Sequence, residues 1–202
     1  MVFEKDDAIN TWLGRMFVSK YRGRSSALFL GGPDTVDDDL ECIVNMPNIR
    51  ELYLADSLVT DKSLALIGQL EHLESLDLTL TNISDDGVSN LVHCRHLKIL
   101  QLGGTKIKDP SMIYICKLRH INELDISGTL ITNEGFKNIG ALGRLDRLSM
   151  YGTKITCDGL KYCKDLQNLR ELWIGGTEIT ENDASRVQSS MPGVRVNCIT
   201  RR

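Results

Sequence analysis

The sequence predicts an α/β solenoid, a single supersecondary unit stacked repeatedly along one axis. Three observations carry this. First, Leu169 through Thr180 (Leu-Arg-Glu-Leu-Trp-Ile-Gly-Gly-Thr-Glu-Ile-Thr) returns 24 residues earlier at Leu145–Thr156 and again at Ile121–Thr132. Second, paired apolar positions fall in one unbroken phase at Leu28/Leu30, Leu52/Leu54, Leu76/Leu78, Leu100/Leu102, Leu124/Ile126, Leu148/Met150, Leu172/Ile174 and Val196/Cys198. Third, each pair alternates with polar residues at period two and is followed by a helical spacing, so every unit reads as strand, turn, helix. A period of this length marks a stacked array and argues for one repeat domain over residues 25–202.

Residues 1–24 precede the first repeat. Ile9, Trp12, Leu13, Met16 and Phe17 form the stripe of an amphipathic helix, with Asp6 or Asp7 able to cap it. An array leaves its first core layer open to water, so this segment is expected to be an N-terminal capping helix; a docking element for a partner is the alternative. Ala27–Leu30 is the first strand, and the segment after it, Gly31–Leu40, departs most from the consensus, as a terminal unit should.

Each later unit follows Leu-x-x-Leu-x-Leu-x-x-Thr-x-Ile-Thr, then an Asp- and Gly-containing turn, then a helix. The helices are expected near Asp61–Leu70, Asp109–Leu118, Asn133–Leu142, Cys157–Leu166 and Glu181–Ser190. In the unit between the first two of these, Val88, Leu91 and Cys94 face inward and Ser84 or Asp85 caps the start. Pro110 falls early in its helix, where a missing N–H is tolerated. Ser57, Thr81, Thr105, Thr129, Thr153 and Thr177 share one turn position, and their hydroxyls are expected to point inward and bond backbone groups of adjacent turns.

The six cysteines also obey the phase. Cys94, Cys163 and Cys198 occupy slots filled elsewhere by Leu or Ile, which marks them as core positions, whereas Cys157 falls in loop phase and should be exposed. Buried free thiols point to a reducing, cytoplasmic setting. Met1–Asp7 is too acidic for a signal peptide or presequence, and no apolar run approaches the roughly 20 residues that span a bilayer. A net charge of −3 without a basic cluster argues against a nucleic-acid binder.

With these residues in view, the chain resembles a leucine-rich repeat protein over about residues 25–200. Ile131-Thr132-Asn133-Glu134-Gly135-Phe136, Ile155-Thr156-Cys157-Asp158-Gly159-Leu160, His93-Cys94-Arg95-His96-Leu97 and Tyr162-Cys163-Lys164-Asp165-Leu166 are similar to the cysteine-containing subclass found in F-box proteins and to short bacterial arrays. The 24 residues before the array are too few for an F-box, so the resemblance is not expected to carry ubiquitin-ligase adaptor function with it. The resemblance implies a right-handed solenoid arc, about eight short parallel strands on its concave face and helices on its convex face. It also implies a binding scaffold, with no named ligand.

On half-buried strands the residues between core positions face outward, so the concave surface can be written from the sequence. Glu51, Tyr53, Asp77, Gln101, Glu123, Asp125, Arg147, Tyr151, Glu171 and Trp173 are the candidate partner-binding residues. Five acids, Glu51, Asp77, Glu123, Asp125 and Glu171, against Arg147 and Arg195 make the strip acidic and suit a basic or mixed-charge protein segment. Arg147, Tyr151 and Trp173 lie on neighbouring units and are residue types enriched at binding hot spots, so Tyr151 and Trp173 are the expected anchors.

His72, His96 and His120 recur once per unit and should stack in a column at about strand spacing. A row of imidazoles is a poor match to the tetrahedral, mixed sets that zinc prefers, and no metal or cofactor is expected. No phosphate loop, dinucleotide fingerprint or nucleophile elbow occurs. The expectation is a non-catalytic protein-interaction module, monomeric on its own; the alternative is a structural subunit or assembly factor held permanently in a larger complex.

Overall fold

A computed structural model describes residues 26–198 of the 202-residue chain. The capping helix expected within residues 1–24 lies outside the described residues. Eight three-residue strands form one parallel sheet in strict chain order: β1 (Ala27–Phe29), β2 (Glu51–Tyr53), β3 (Ser75–Asp77), β4 (Ile99–Gln101), β5 (Glu123–Asp125), β6 (Arg147–Ser149), β7 (Glu171–Trp173) and β8 (Arg195–Asn197). Every pairing joins residues 24 apart, so Leu52 aligns with Leu76, Leu76 with Leu100 and Leu148 with Leu172. The register cannot drift, because a one-residue slip would turn each central leucine to the wrong face.

Those leucines build the core. Leu52, Leu76, Leu100, Leu148 and Leu172 are fully buried, as are their companions Leu54, Leu78, Leu102, Met150 and Ile174. Burying one such side chain contributes about 1.5–3 kcal/mol, and truncating it to Ala in a close-packed layer costs about 2–5 kcal/mol. The core continues unbroken from Leu30 to Val194 and includes Cys94, Cys116 and Cys163. Cys157 is exposed as expected, but Cys198, expected in the core, is only half-buried; it follows β8, which pairs with β7 alone among the described strands. Burial pushes the Cys94 and Cys163 thiols up to about 12 and Cys116 to about 11, which keeps them protonated.

The helical sides are shorter than their periodicity implies. Asp61–Ile67 and Asp109–Ile115 are α-helices of two turns, with Pro110 in the first turn. Elsewhere a single α-turn passes into 3-10 geometry: Asp85–Val88 into Ser89–His93, Asn133–Phe136 before Ile139–Ala141, and Cys157–Leu160 into Lys161–Asp165. Only Glu181–Ser190 has the full expected length. The cause is geometric: a 24-residue circuit must return to the next strand at the next repeat level, and the tighter 3-10 turn climbs about 2.0 Å per residue where the α-helix climbs 1.5 Å.

The hydroxyl column is buried from Ser57 to Thr153 and half-buried at Thr177, but its bonds run differently from the expectation. Each hydroxyl donates to the carbonyl three residues earlier in its own turn: Ser57 to Leu54 (2.6 Å), Thr81 to Leu78 (2.6 Å), Thr105 to Leu102 (2.6 Å), Thr129 to Ile126 (2.6 Å), Thr153 to Met150 (2.8 Å) and Thr177 to Ile174 (2.7 Å). It closes the turn in which it stands; it does not tie adjacent turns together.

The tie between turns is made by another residue. From Asp37 to Asn133 the first residue of each helical segment accepts from the N-cap of the next repeat. Asp37 accepts from the Thr60 N–H (2.9 Å) and hydroxyl (2.7 Å) and from the Ser63 hydroxyl; Asp61 accepts from the Ser84 N–H (2.8 Å) and hydroxyl. Asp85 accepts from the Lys108 N–H (2.8 Å) and the Ser111 hydroxyl, and Asp109 from the Thr132 N–H and hydroxyl (2.8 Å each). Asn133 continues the series, accepting from the Thr156 N–H (2.9 Å) while its amide donates to the Thr156 hydroxyl (2.8 Å). Where the next repeat carries Gly at the third helix position, the acceptor presses against it: a Cβ on Gly135 would stand 2.6 Å from Asp109 Oδ1 and 2.8 Å from Asp109 Cα.

Candidate interaction surface

The strand alternation places the expected residues on the open face of the sheet. Glu51, Tyr53, Asp77, Gln101, Glu123, Asp125, Tyr151, Glu171 and Trp173 are half-buried, and Arg147 and Arg195 are exposed. Leu or Val between them points into the core, so backbone pairing alone sets the spacing of this surface.

Charge on the face is not uniform. Arg147 Nη1 lies 2.9 Å from Glu123 Oε2, and Arg195 Nη1 lies 3.3 Å from Glu171 Oε1. Two of the five acids that made the strip acidic in sequence are therefore paired along the row. Such exposed pairs add about 0–1 kcal/mol each to stability, but they cancel the local field. The remaining acids are Glu51, which accepts from the Tyr53 hydroxyl (2.9 Å), and Asp77 and Asp125, which accept from the backbone N–H of Thr79 (2.9 Å) and Ser127 (2.8 Å). The acidic section is thus confined to β2 through β5, and the section over β6 to β8 alternates in sign.

The aromatic residues divide in the same way. Phe29 and Tyr53 stack with ring centroids 4.5 Å apart and planes 3° from parallel. Burial, then the hydrogen bond to Glu51, pushes the Tyr53 phenol up. Sequence reasoning placed Tyr53 on the face but not this stack, although two aromatic residues 24 positions apart at one strand position were the signal for it. At the other end the Tyr151 ring lies over Gly176, where a Cβ would come within 2.9 Å of Tyr151 Cζ. Trp173 stands on β7 beside Ser149.

The imidazole column exists, with wider steps than the strands beneath it. His72 and His96 have ring centroids 6.3 Å apart and His96 and His120 6.4 Å, tilted by 37° and 33°. Among the described residues, no group of three or more His, Cys, Asp or Glu side chains is arranged to hold a metal ion. No helix among them is long and apolar enough to cross a membrane.

Together these features define a class: a stacked β-α array whose sheet presents an open, chemically patterned face. Three consecutive segments, 69–92, 93–116 and 117–140, match the family model described as Leucine Rich repeat, and the fold is that of a leucine-rich repeat solenoid. Among solved structures, an internalin C2 from Listeria monocytogenes is similar with a TM-score of 0.62 and 20% identity, covering 86% of this chain and 79% of that one. A leucine-rich repeat protein of Leptospira interrogans is similar with a TM-score of 0.56 and 21% identity over 76% of this chain; the chain spans only 39% of its length. At such identity the likeness is one of fold. No curated protein matches.

Proposed function

We propose that the protein is a non-catalytic interaction module that binds a partner protein on the concave face of its sheet. The observation that carries this reading is the patterned face itself. Acids without an ion pair, Asp77 and Asp125, sit mid-sheet, and aromatic side chains stand at both ends, Phe29 with Tyr53 and Tyr151 with Trp173. A mixed-charge segment fits this pattern, its basic residues over β2–β5 and an apolar contact at Tyr151 and Trp173. Catalysis has no comparable support, since the strongly shifted groups are core thiols raised by burial and not a convergent set in a cleft. We place the protein in the cytoplasm, because free buried thiols suit a reducing compartment, and we take it to be a monomer on its own.

The test is affinity capture from the source cell with wild type beside Tyr151→Ala/Trp173→Ala, followed by titration of the recovered protein. Loss of at least about thirtyfold in affinity, the 2 kcal/mol scale of an aromatic hot spot, is the expected result. Unchanged affinity with an unchanged melting curve would move the binding surface off this end of the sheet and favour a permanently packed structural subunit.

A further inference from the structure

The loops that lead from helix to strand form one flank of the solenoid, and their composition departs from that of the chain. Three of the four histidines of the protein, His72, His96 and His120, lie there, and the fourth, His93, ends the 3-10 turn that leads into the same flank. In a chain of net charge −3, the successive loops 93–98 and 117–122 carry Arg95, Lys98, Lys117 and Arg119 and not one acid. All of these side chains are exposed. Lys98 is engaged with Glu74 at 2.5 Å, Arg119 donates through Nη1 to the Ala141 carbonyl (2.7 Å) and Lys117 lies over the Tyr114 ring, but Arg95, Lys117 and Arg119 form no ion pair among the described residues. Acids return on both sides, at Glu71 and Glu74 before the patch and at Asp146 and Asp165 after it, so the basic field is bounded at about two repeat levels.

The donors of this flank are in register, and only the His96 and His120 levels lie inside the basic field; His72 stands between Glu71 and Glu74, and Arg144 two residues before Asp146. His72, His96 and His120 step by 6.3 and 6.4 Å, and Arg144 extends the column, its Nη1 3.0 Å from His120 Nδ1. Arginine has no acceptor, so it donates there and leaves the His120 ring N–H on Nε2. An extended peptide rises about 3.2–3.4 Å per residue, which places every second side chain about 6.4–6.8 Å from the last. The column's steps of 6.3 and 6.4 Å lie at the lower edge of that repeat.

We propose that this flank is a second docking surface, for an extended acidic protein segment lying along the solenoid axis with carboxylates at alternate residues. Each carboxylate meets one level of the column, and Arg95 and Arg119 supply bidentate donors beside it. The surface is separate from the concave face, and its occupant has the opposite charge character. A nucleic acid fits less well, because a field of four Lys and Arg side chains in an acidic chain offers few phosphate contacts.

The test is fluorescence anisotropy with a labelled alternating Glu-Ser peptide and the full chain. Wild type should bind it, and affinity should fall as NaCl rises from about 50 to about 500 mM, since exposed charges are screened over about 10 Å at 0.1 M salt. Arg95→Glu/Arg119→Glu should lose at least about tenfold, and Arg95→Gln/Arg119→Gln, which removes the charge without reversing it, several-fold. Tyr151→Ala/Trp173→Ala should bind as wild type does, which separates this surface from the concave one. Undiminished binding by the charge-reversed variant would overturn the proposal. So would equal binding of a peptide with its glutamates in one block, or tighter binding of single-stranded oligodeoxythymidylate of the same charge.

Discussion

The repeats from Asp37 to Thr156 and the two that follow use the same strands but are joined differently. In the first region each level is locked to the next by a carboxylate or amide reaching across the gap, from Asp37, Asp61, Asp85, Asp109 and Asn133 in turn. At the next step the slot holds Cys157. The N-cap it would serve, Thr180, is satisfied within its own helix: Asp183 accepts from the Thr180 N–H (3.2 Å) and hydroxyl (2.6 Å), while the Thr180 hydroxyl accepts from the Asp183 N–H (3.2 Å). The strand leucines stay buried across the joint, Leu172 and Ile174 included, and only at the end of the described residues do Val187, Met191 and Val196 become partly covered. In a stacked array stability is close to a sum of unit terms and interface terms, so the Cys157 interface is the weak joint between a tightly coupled block and a self-capped end.

The largest effect should come from prying open a strong joint. Gly135→Ala would drive a methyl against Asp109, 2.8 Å from its Cα, and backbone cannot give way as a side-chain tip can. Overpacking combined with loss of the Asp109 bonds to Thr132 should cost about 3 kcal/mol, against about zero for Gly143→Ala, whose Cβ would meet nothing within 4 Å. Urea denaturation of the two variants checks this; equal midpoints would mean that the close approach of Asp109 to Gly135 is not under tension.

The weak joint should be repairable by a smaller amount. Cys157→Asn places at this level the side chain that already works at Asn133, able to accept from the Thr180 N–H and to donate toward Asp183. An aspartate there would face the Asp183 carboxylate, which already interacts with the Cys157 side chain. A gain of about 1 kcal/mol is expected for one new hydrogen-bonded tie, and it should be read locally, as slower amide exchange in Glu181–Ser190 with little change around β3 to β5. Slowing spread evenly over the chain would show that the array unfolds as one unit and has no weak joint.

This contrast was only half legible in the sequence. The leucine phase specified eight strands, their register and the buried cysteines, because each is a consequence of period alone. The ladder was not legible: Asp109 and Thr132 stand 23 residues apart, and nothing local distinguishes an aspartate that caps its own helix from one that serves the next repeat. The hydroxyl column was read as the cross-turn tie for the same reason, when Thr81, Thr105 and Thr129 each close their own turn. On the concave face, membership was readable but pairing was not. Glu123 and Arg147 sit at the same strand position one repeat apart, so their contact follows from register once the sheet is known. The Phe29–Tyr53 stack follows in the same way.

The smallest effect should come from acid, and it tests whether the ladder uses charge or only shape. Burial alone would raise the Asp37 carboxyl, but hydrogen bonds from Ser63 and Thr60 outweigh it and hold the group below its ordinary range. A depressed native pKa means that the unfolded chain takes up the proton first. The contribution is therefore complete above the unfolded value of about 3.9 and is lost as pH falls through the lower native value. Asp37→Asn keeps the shape, as Asn133 does one end of the ladder away, but cannot ionise. The urea midpoint of wild type should fall more steeply than that of the variant below about pH 4, and the two curves should run parallel above about pH 5. Parallel curves throughout would show that Asp37 acts through geometry alone, and would make the amide at Asn133 the equal of the carboxylates before it.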